Sequence, residues 1–293
     1  MAKIEKDGLS GVETTGHEWD GIQELNNPLP RWWLYILYAT IAWSVVYWVL
    51  YPAWPIGSTY TKGLLGWSQR GELEQSLIEA QKGQAKYIDQ IKASTLEQIR
   101  NNQDLLNFAM AGGKAAFGVN CVQCHGAGGQ GNPGYPNLTD DKWLWGGTPN
   151  DIYTTIKHGV RAVDDAETRP GVAMPAWATD SAPAKLAAAQ INDVVEYVLS
   201  LNKTATDASA AARGAGIFNE NCSACHGDKA QGNADMGVPA LNNGIWLYSG
   251  EKKALLQVVS NGRAGVMPSW NKRLDDATIK ELAVYVHELG GGQ

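Results

Sequence analysis

The pentapeptide Cys-x-x-Cys-His occurs twice, as Cys121-Val122-Gln123-Cys124-His125 and Cys222-Ser223-Ala224-Cys225-His226, and the two copies use all four cysteines of the 293-residue chain. Cysteines three positions apart lie on one face of a helical turn, so their sulfurs can both bond to the edge of one porphyrin, with the adjacent histidine beneath the iron. The competing readings are a thioredoxin-like redox pair and half of a zinc site. Zinc normally takes four protein ligands, and each motif would need a further Cys or His pair that the sequence does not supply. The motifs therefore predict two covalently bound haem c groups, with Cys121, Cys124, Cys222 and Cys225 as attachment points and His125 and His226 as proximal iron ligands.

Laying one half of the chain over the other exposes a repeat of domain size. Gly113 and Phe117 match Gly214 and Phe218, Gly131 matches Gly232, and Pro136, Leu138, Trp143, Gly147, Ile156 and Gly159 match Pro239, Leu241, Trp246, Gly250, Val259 and Gly262. The last landmark is Met-Pro-x-Trp, which pairs Met174 with Met267 and makes these the expected distal iron ligands. Methionine is ordinarily core filler. Here the two copies stand in register, whereas Met110 precedes the first motif and Met236, a rival at the second haem, lies in a stretch with no methionine counterpart. His158 is a rival for the first iron, but its counterpart is Asn261, which fits a hydrogen-bonding helix terminus better than an iron ligand. His287 is expected at the surface or between domains, and His17 in the polar tail. His/Met ligation raises the potential of the iron.

From Trp32 to Tyr51 no residue carries a charge, and the run is flanked by Trp32, Trp33 and Tyr35 at one end and Tyr47, Trp48, Tyr51 and Trp54 at the other. About 20 apolar residues make about 30 Å of helix, the thickness of a bilayer core, and aromatic girdles mark its interfaces. The run is too long and lies too far in for a cleaved signal, so it is expected to anchor the chain. Arg31 on one side and Lys62 and Arg70 on the other do not fix its orientation. Bacterial haem c is attached outside the cytoplasmic membrane, which places both motifs in the periplasm and the N-terminus in the cytoplasm.

The expected organisation is an N-terminal tail (1–31), a membrane helix (32–51), a helical linker (52–107) and two haem domains (108–202 and 203–293). In the linker, Leu73, Leu77, Ala80, Ile88, Ile91, Ile99 and Leu106 recur at helical spacing, which suggests an amphipathic helix or helix pair that packs on its own haem domain, the alternative being docking on a partner subunit. Each haem domain should be all-α. Helices are expected near Gly112–Val122, Thr148–His158 and Lys185–Leu201, and again near Ala208–Ser223, Lys252–Asn261 and Asp275–Leu289. Gly113 with Phe117 and Tyr197, and Gly214 with Phe218 and Tyr285, would let the first and last helices of each half cross closely. The net charge of −6 names no partner, and the absence of a basic stripe argues against nucleic-acid binding.

The motif order resembles the class I cytochrome c fold. The tail Trp19-Asp20-Gly21-Ile22-Gln23-Glu24-Leu25-Asn26-Asn27-Pro28-Leu29-Pro30-Arg31-Trp32-Trp33, one span ending in Tyr51-Pro52-Ala53-Trp54-Pro55, and two tandem haem domains resemble the dihaem P subunit of cbb3-type cytochrome c oxidases. That resemblance implies an electron-transfer subunit without catalytic residues of its own, taking electrons from a cytochrome c donor towards the other oxidase subunits in the bacterial inner membrane. It also implies Cys121, Cys124, His125 and Met174 around one haem and Cys222, Cys225, His226 and Met267 around the other. The alternatives are a free-standing anchored dihaem carrier and a dihaem peroxidase, and the matched Met-Pro segments argue against the exchangeable iron site a peroxidase needs. The first half carries about ten extra residues before its Met, including Asp164, Asp165, Glu167 and Arg169, for which a solvated loop is the simplest expectation.

Overall fold

The computed structural model describes residues 4–290, so the outermost three residues of the expected tail and of the expected second haem domain lie outside the described residues. The chain divides into a unit up to Gly83 and a unit from Gln84 onward.

In the first unit the tail is not featureless. Strands β1 (Thr14–Trp19) and β2 (Ile22–Leu25) pair antiparallel, with Trp19 opposite Ile22. Asp20 and Gly21 form the turn at φ of 50° and 81°, the left-handed pair that a two-residue hairpin requires and that Asp-Gly supplies. Helix α1 (Arg31–Leu50) starts behind Pro30 and buries none of its residues within the unit. This is how a lipid-facing span differs from a soluble core helix. Its C-terminal carbonyls are met by the returning chain, Leu64 N–H donating to Val49 O (3.0 Å) and Leu65 N–H to Leu50 O (3.1 Å). The close pass needs Gly63, at φ 73°, because a Cβ there would fall on the Leu50 carbonyl. Between them β3 (Pro55–Ile56) and β4 (Thr59–Tyr60) form a short hairpin. Tyr47 stacks on Tyr51, and Trp48 meets Trp54 edge-on, building the expected aromatic girdle at this end of the helix.

Helix α2 (Gln69–Ala93) runs into the second unit, followed by α3 (Leu96–Asn101) and α4 (Gln103–Asn120). Thr95 and Gln98 form a reciprocal capping box at the start of α3, and Asn102 caps α4, so two helix starts follow each other with their first N–H groups satisfied. The apolar stripe expected in the linker is split by the structure. Leu73 and Leu77 are exposed, whereas Ile91, Leu96 and Ile99 are buried in one core with Phe117, Ile152 and Ile279. The first haem helix is therefore longer than expected at its N-terminal side, and the chain before it belongs to the same core. The remaining helices are α5 (Val122–His125), α6 (Pro149–His158), α7 (Ala188–Leu201), α8 (Ala208–Asn221), α9 (Ser223–His226), α10 (Lys252–Asn261) and α11 (Asp276–His287).

The pairing of these helices corrects the expectation. Helix α4 packs on α11, and α8 packs on α7. Phe117 meets Tyr285 (ring centroids 5.5 Å apart) and Phe218 meets Tyr197 (5.1 Å). A Cβ on Gly113 would fall on the Glu281 carbonyl and Tyr285 Cβ, and one on Gly214 on the Asp193 carbonyl and Tyr197 Cβ. The glycines and rings do mediate the crossings as expected, but each half supplies its last helix to the other half. The physical reason lies in residues 202–207. A connection that short joins antiparallel neighbours, so α7 is held by α8, which follows it, and α11 fills the place left open beside α4. His287, expected at the surface or between domains, is buried on α11.

Candidate functional site

Each motif forms one tight turn. The Cys121 N–H donates to Phe117 O and the His125 N–H to Cys121 O (both 2.9 Å), while Gly126 leaves the turn at φ 80°. The second motif repeats this, with Cys222 N–H to Phe218 O (2.8 Å), His226 N–H to Cys222 O (2.9 Å) and Gly227 at φ 80°. The motif cysteines thus continue the helices that carry Phe117 and Phe218, and helix packing sets their position.

The histidines are oriented in the same way in both copies. His125 Nδ1 lies 3.0 Å from Pro136 O and His226 Nδ1 lies 2.9 Å from Pro239 O. A carbonyl can only accept, so Nδ1 carries the proton and Nε2 presents a lone pair. Gly131 and Gly232, matched in the repeat, tie the following loops back by donating to His125 O (2.7 Å) and His226 O (2.8 Å). Burial holds both imidazoles below the ordinary histidine range, against the opposing effect of the proline carbonyls. They are neutral and can ligate a metal. Burial also pushes the Cys121 and Cys222 thiols up to about 11. Oriented, neutral histidines beside apolar-buried thiols fit two covalent haem c groups.

The Met-Pro-x-Trp segments cross between the halves. Met267 exchanges two backbone hydrogen bonds with Val160 (2.9 and 3.0 Å), and Met174 exchanges two with Arg263 (2.8 and 3.1 Å). Val160 and Arg263 occupy the same column of the repeat, so the exchange is reciprocal. Gly159 and Gly262 make it sterically feasible. At φ of 68° and 69°, a Cβ on the first would fall on the Met267 carbonyl and on the second on the Met174 carbonyl. Beyond the methionines, Trp270 N–H reaches the carbonyls of Ile156 (3.3 Å) and Lys157 (3.2 Å), and Trp177 N–H reaches Val259 O (3.1 Å). These bonds satisfy carbonyls at the ends of α6 and α10 that a helix cannot pair internally.

Met267 therefore packs in the core that holds Cys121, Phe117 and Trp143, and Met174 packs with Ile217, Leu256 and Val259, which line the core that holds Cys222 and Trp246. This packing sets each methionine beside the core of the other half's motif, crosswise to the expected allotment of Met174 to the first motif and Met267 to the second. The repeat identifies the column but cannot say which copy meets which, because the two copies are equivalent in sequence. Met236 ends a short 3-10 turn capped by left-handed Gly237 and joins neither core. His158, the rival ligand, has both ring nitrogens engaged by carboxylates, with Nδ1 3.1 Å from Asp165 and Nε2 3.3 Å from Glu167. Aromatics also cross between the halves. Trp145 lies over Gly237, and Tyr248, its counterpart, lies over Gly134. Nothing in the sequence signalled these contacts except the small residues in matching columns.

Three family models cover most of the chain. The N-terminal domain of cytochrome oxidase-cbb3, FixP, matches residues 11–58, cytochrome c matches 110–202, and cytochrome c oxidase, cbb3-type, subunit III, matches 209–286. The fold is accordingly the expected one, mostly helical with one candidate membrane helix near the N-terminus and two cytochrome c domains in tandem. The chain is 60% identical over its whole length, and over the whole of the relative, to the cbb3-type cytochrome c oxidase subunit CcoP of Azospirillum brasilense. It is 51% identical to the FixP subunit of Azorhizobium caulinodans, with 98% of this chain and 96% of the relative aligned. With FixP of Bradyrhizobium diazoefficiens it shares 48% identity, over 99% and 98%. These similarities run through the tail, the span and both haem motifs, and the chain belongs to the CcoP/FixP family of cbb3-type cytochrome c oxidase subunits.

Proposed function

We propose that this chain is the membrane-anchored dihaem subunit that carries electrons from a cytochrome c donor to the catalytic core of a cbb3-type oxidase. Its relatives are named as subunits of that oxidase over their full length. The observation that carries the reading is the pair of matched sites, each with a motif histidine held at Nδ1 by a proline carbonyl and a methionine packed in or against the core that holds the motif cysteine. When bound, each haem supplies a one-electron iron couple, and two protein ligands per iron leave no open position for substrate chemistry. The chain's contribution is to hold those ligands. Pro136 and Pro239 fix the imidazoles, Val160 and Arg263 fix the methionine segments, and the cores around Phe117 and Phe218 keep water away from the iron.

The ligand set we assign is His125 with Met267 at the haem bonded to Cys121 and Cys124, and His226 with Met174 at the haem bonded to Cys222 and Cys225. The haem domains are assigned to the periplasm and the N-terminus to the cytoplasm, because haem c is attached outside the cytoplasmic membrane. The division into tail, span, linker and two haem regions follows the sequence boundaries, with the linker from Gln84 onward counted with the first haem core.

Purification from native membranes tests the function. The chain should co-purify with a core containing copper and haem b, and donor cytochrome c should reduce both of its haems. A dihaem protein isolated in full yield without that core would favour the free-standing carrier instead. A reporter fused to the C-terminus should be active only in the periplasm, and activity in the cytoplasm would reverse the orientation.

A further inference from the structure

The extra residues before Met174 are not a free loop. They fold under the other methionine segment. Ala162 N–H donates to Thr168 Oγ1 (2.9 Å), and Arg161 N–H to Arg169 O (2.9 Å), closing the loop on itself. Arg169 N–H then donates to Gly159 O (3.0 Å), anchoring the loop to the residue that passes under Met267. From this platform two consecutive acids reach the chain that follows Met267. Asp164 Oδ1 accepts from Ser269 Oγ (3.2 Å), the Asp164 carbonyl accepts from Lys272 Nζ, and Asp165 Oδ2 accepts from Asn271 Nδ2. Ser269 is fully buried. On its other side Asp165 is held by His158 Nδ1 (3.1 Å) and by the Glu167 N–H (2.8 Å). Burial pushes the Asp165 carboxyl up, but these bonds outweigh it and hold the group below the usual carboxylate range.

The donors are as unequally distributed as the acceptors. Ser269, Asn271 and Lys272 follow Met267, whereas the same columns after Met174 hold Ala176, Ala178 and Thr179. Thr179 bonds locally, its hydroxyl to Ala176 O (2.8 Å). The acceptor loop exists only in the first half and the donor set only in the second, and the exchange of methionine segments brings the two together. Two changes in separate halves that meet at one methionine segment are what a positioning device requires.

We propose that Asp164 and Asp165, supported by His158, are positioning residues that clamp the Met267 segment and so hold the sulfur ligand on the iron of the haem bonded to Cys121 and Cys124. Among the described residues the Met174 segment, which serves the other haem, has no such clamp. The proposal rests on the assignment of Met267 to the first-motif haem. It gives the two otherwise matched centres different ligand security, with the first-motif centre the one that resists ligand loss.

The test uses the full-length chain with its two haems, separated from the other subunits of the complex, in a Met174→Leu background, where the remaining far-red charge-transfer band of the ferric protein reports the Met267–iron bond alone. Asp164→Ala with Asp165→Ala should remove at least half of that band and raise carbon monoxide binding to the ferrous haem about tenfold or more. Asp165→Asn, which keeps one acceptor, should recover part of both. Ser269→Ala with Asn271→Ala approaches the same contacts from the other side. Its effect should match that of the acidic pair, and all four changes together should be no worse than either pair. Two covalent haems per chain in every variant confirm that the protein has assembled, and if the acidic pair lowers that content, the Ser269 and Asn271 variants decide by the same readouts. Retention of the full band and unchanged carbon monoxide binding in both pairs would overturn the clamp. A different result overturns the assignment beneath it: with Met174 intact, Met267→Leu would open the haem that survives in a Cys121→Ala, Cys124→Ala chain.

Discussion

In the core around His226, the closing helix α7 reaches its partner α8 through the short stretch 202–207, whereas in the core around His125 the closing helix α11 comes from the far end of the chain to meet α4. The contacts are otherwise the same, a glycine under a backbone carbonyl and a phenylalanine against a tyrosine. What differs is the loop each contact closes. By the logarithmic dependence of closure entropy on length, the α4–α11 contact costs about 3 kcal/mol more to close than the α7–α8 contact. The second core can form from adjacent chain, but the first is complete only when the whole chain has folded. Two repeats with the same sequence landmarks are thus unequal in folding and in their sensitivity to the C-terminus.

The largest expected effect follows from removing α11. A chain ending at Leu274 keeps both haem motifs and both methionines but loses Ile279, Leu282, Val284, Tyr285 and Val286, all buried in the first core. Burying a side chain of this kind contributes about 1.5–3 kcal/mol, so the loss is comparable to the whole net stability of an ordinary domain. The haem on Cys121 and Cys124 should lose its native spectrum while the haem on Cys222 and Cys225 keeps its own. Independent tandem domains would show the reverse, and that outcome in the truncated chain would break the comparison.

Exchanging one ligand at a time is the next largest. Met267→Leu conserves approximate volume, so packing alone changes little. It should remove one of two far-red bands, lower the potential of the haem on Cys121 and Cys124, and admit carbon monoxide there. Met174→Leu should do the same to the haem on Cys222 and Cys225. A chain with a single haem, made by Cys121→Ala with Cys124→Ala, identifies which centre each change has opened. Uncrossed results would return each methionine to its own half.

Gly159 and Gly262 offer a symmetric control. Each sits at positive φ with the facing methionine carbonyl where a Cβ would be, so Gly159→Ala and Gly262→Ala should each cost about 3–4 kcal/mol from backbone strain and overpacking together. Thermal unfolding followed at each haem's absorption should show Gly159→Ala acting on the Met267 site and Gly262→Ala on the Met174 site. An effect of either confined to its own half's methionine would contradict the exchange.

The sequence disclosed the chemistry almost completely and the topology only in part. Cys-x-x-Cys-His, the span from Trp32 and the Met-Pro-x-Trp columns are local patterns, and the structure keeps each where local chemistry puts it. Helices α6, α7, α8, α10 and α11 start and stop within a few residues of their expected ends, since caps such as Thr148, Asp207 and Asp275 are visible as residues. Which copy of a repeated element meets which is not a local property, because both pairings satisfy the same columns. The one available signal was the brevity of residues 202–207. The tail hairpin was readable from Asp20-Gly21. The clamp of Asp164 and Asp165 was not, because its donors lie more than a hundred residues away and meet it only through the exchange.

The smallest expected effect compares the two helix crossings. Asp193 on α7 takes a bidentate pair from Arg213 on α8, at 2.8 and 2.7 Å. In the other crossing the corresponding positions are Glu281 on α11 and Gly112 on α4, and a Cβ on Gly112 would already fall on the Glu281 carboxyl. Arg213 holds the Asp193 carboxyl below the usual range, while burial, helped by the nearby Asp275 charge, pushes Glu281 up to about 7. The signs are opposite. Glu281 binds its proton more tightly folded than unfolded, so its ionisation lowers stability progressively as pH rises from about 4.5 to 7, by at most about 3 kcal/mol. Asp193 contributes stability that is present above its unfolded pKa and is lost as pH falls through the lower folded value. Glu281→Gln should therefore stabilise the first core above pH 7 and flatten its profile between pH 5 and 7. Asp193→Asn should weaken the second core at neutral pH, with the difference vanishing in acid. Melting curves read at each haem between pH 2 and 8 measure both, and a Glu281→Gln effect that is the same at pH 5 and pH 8 would show that this carboxyl does not titrate between them.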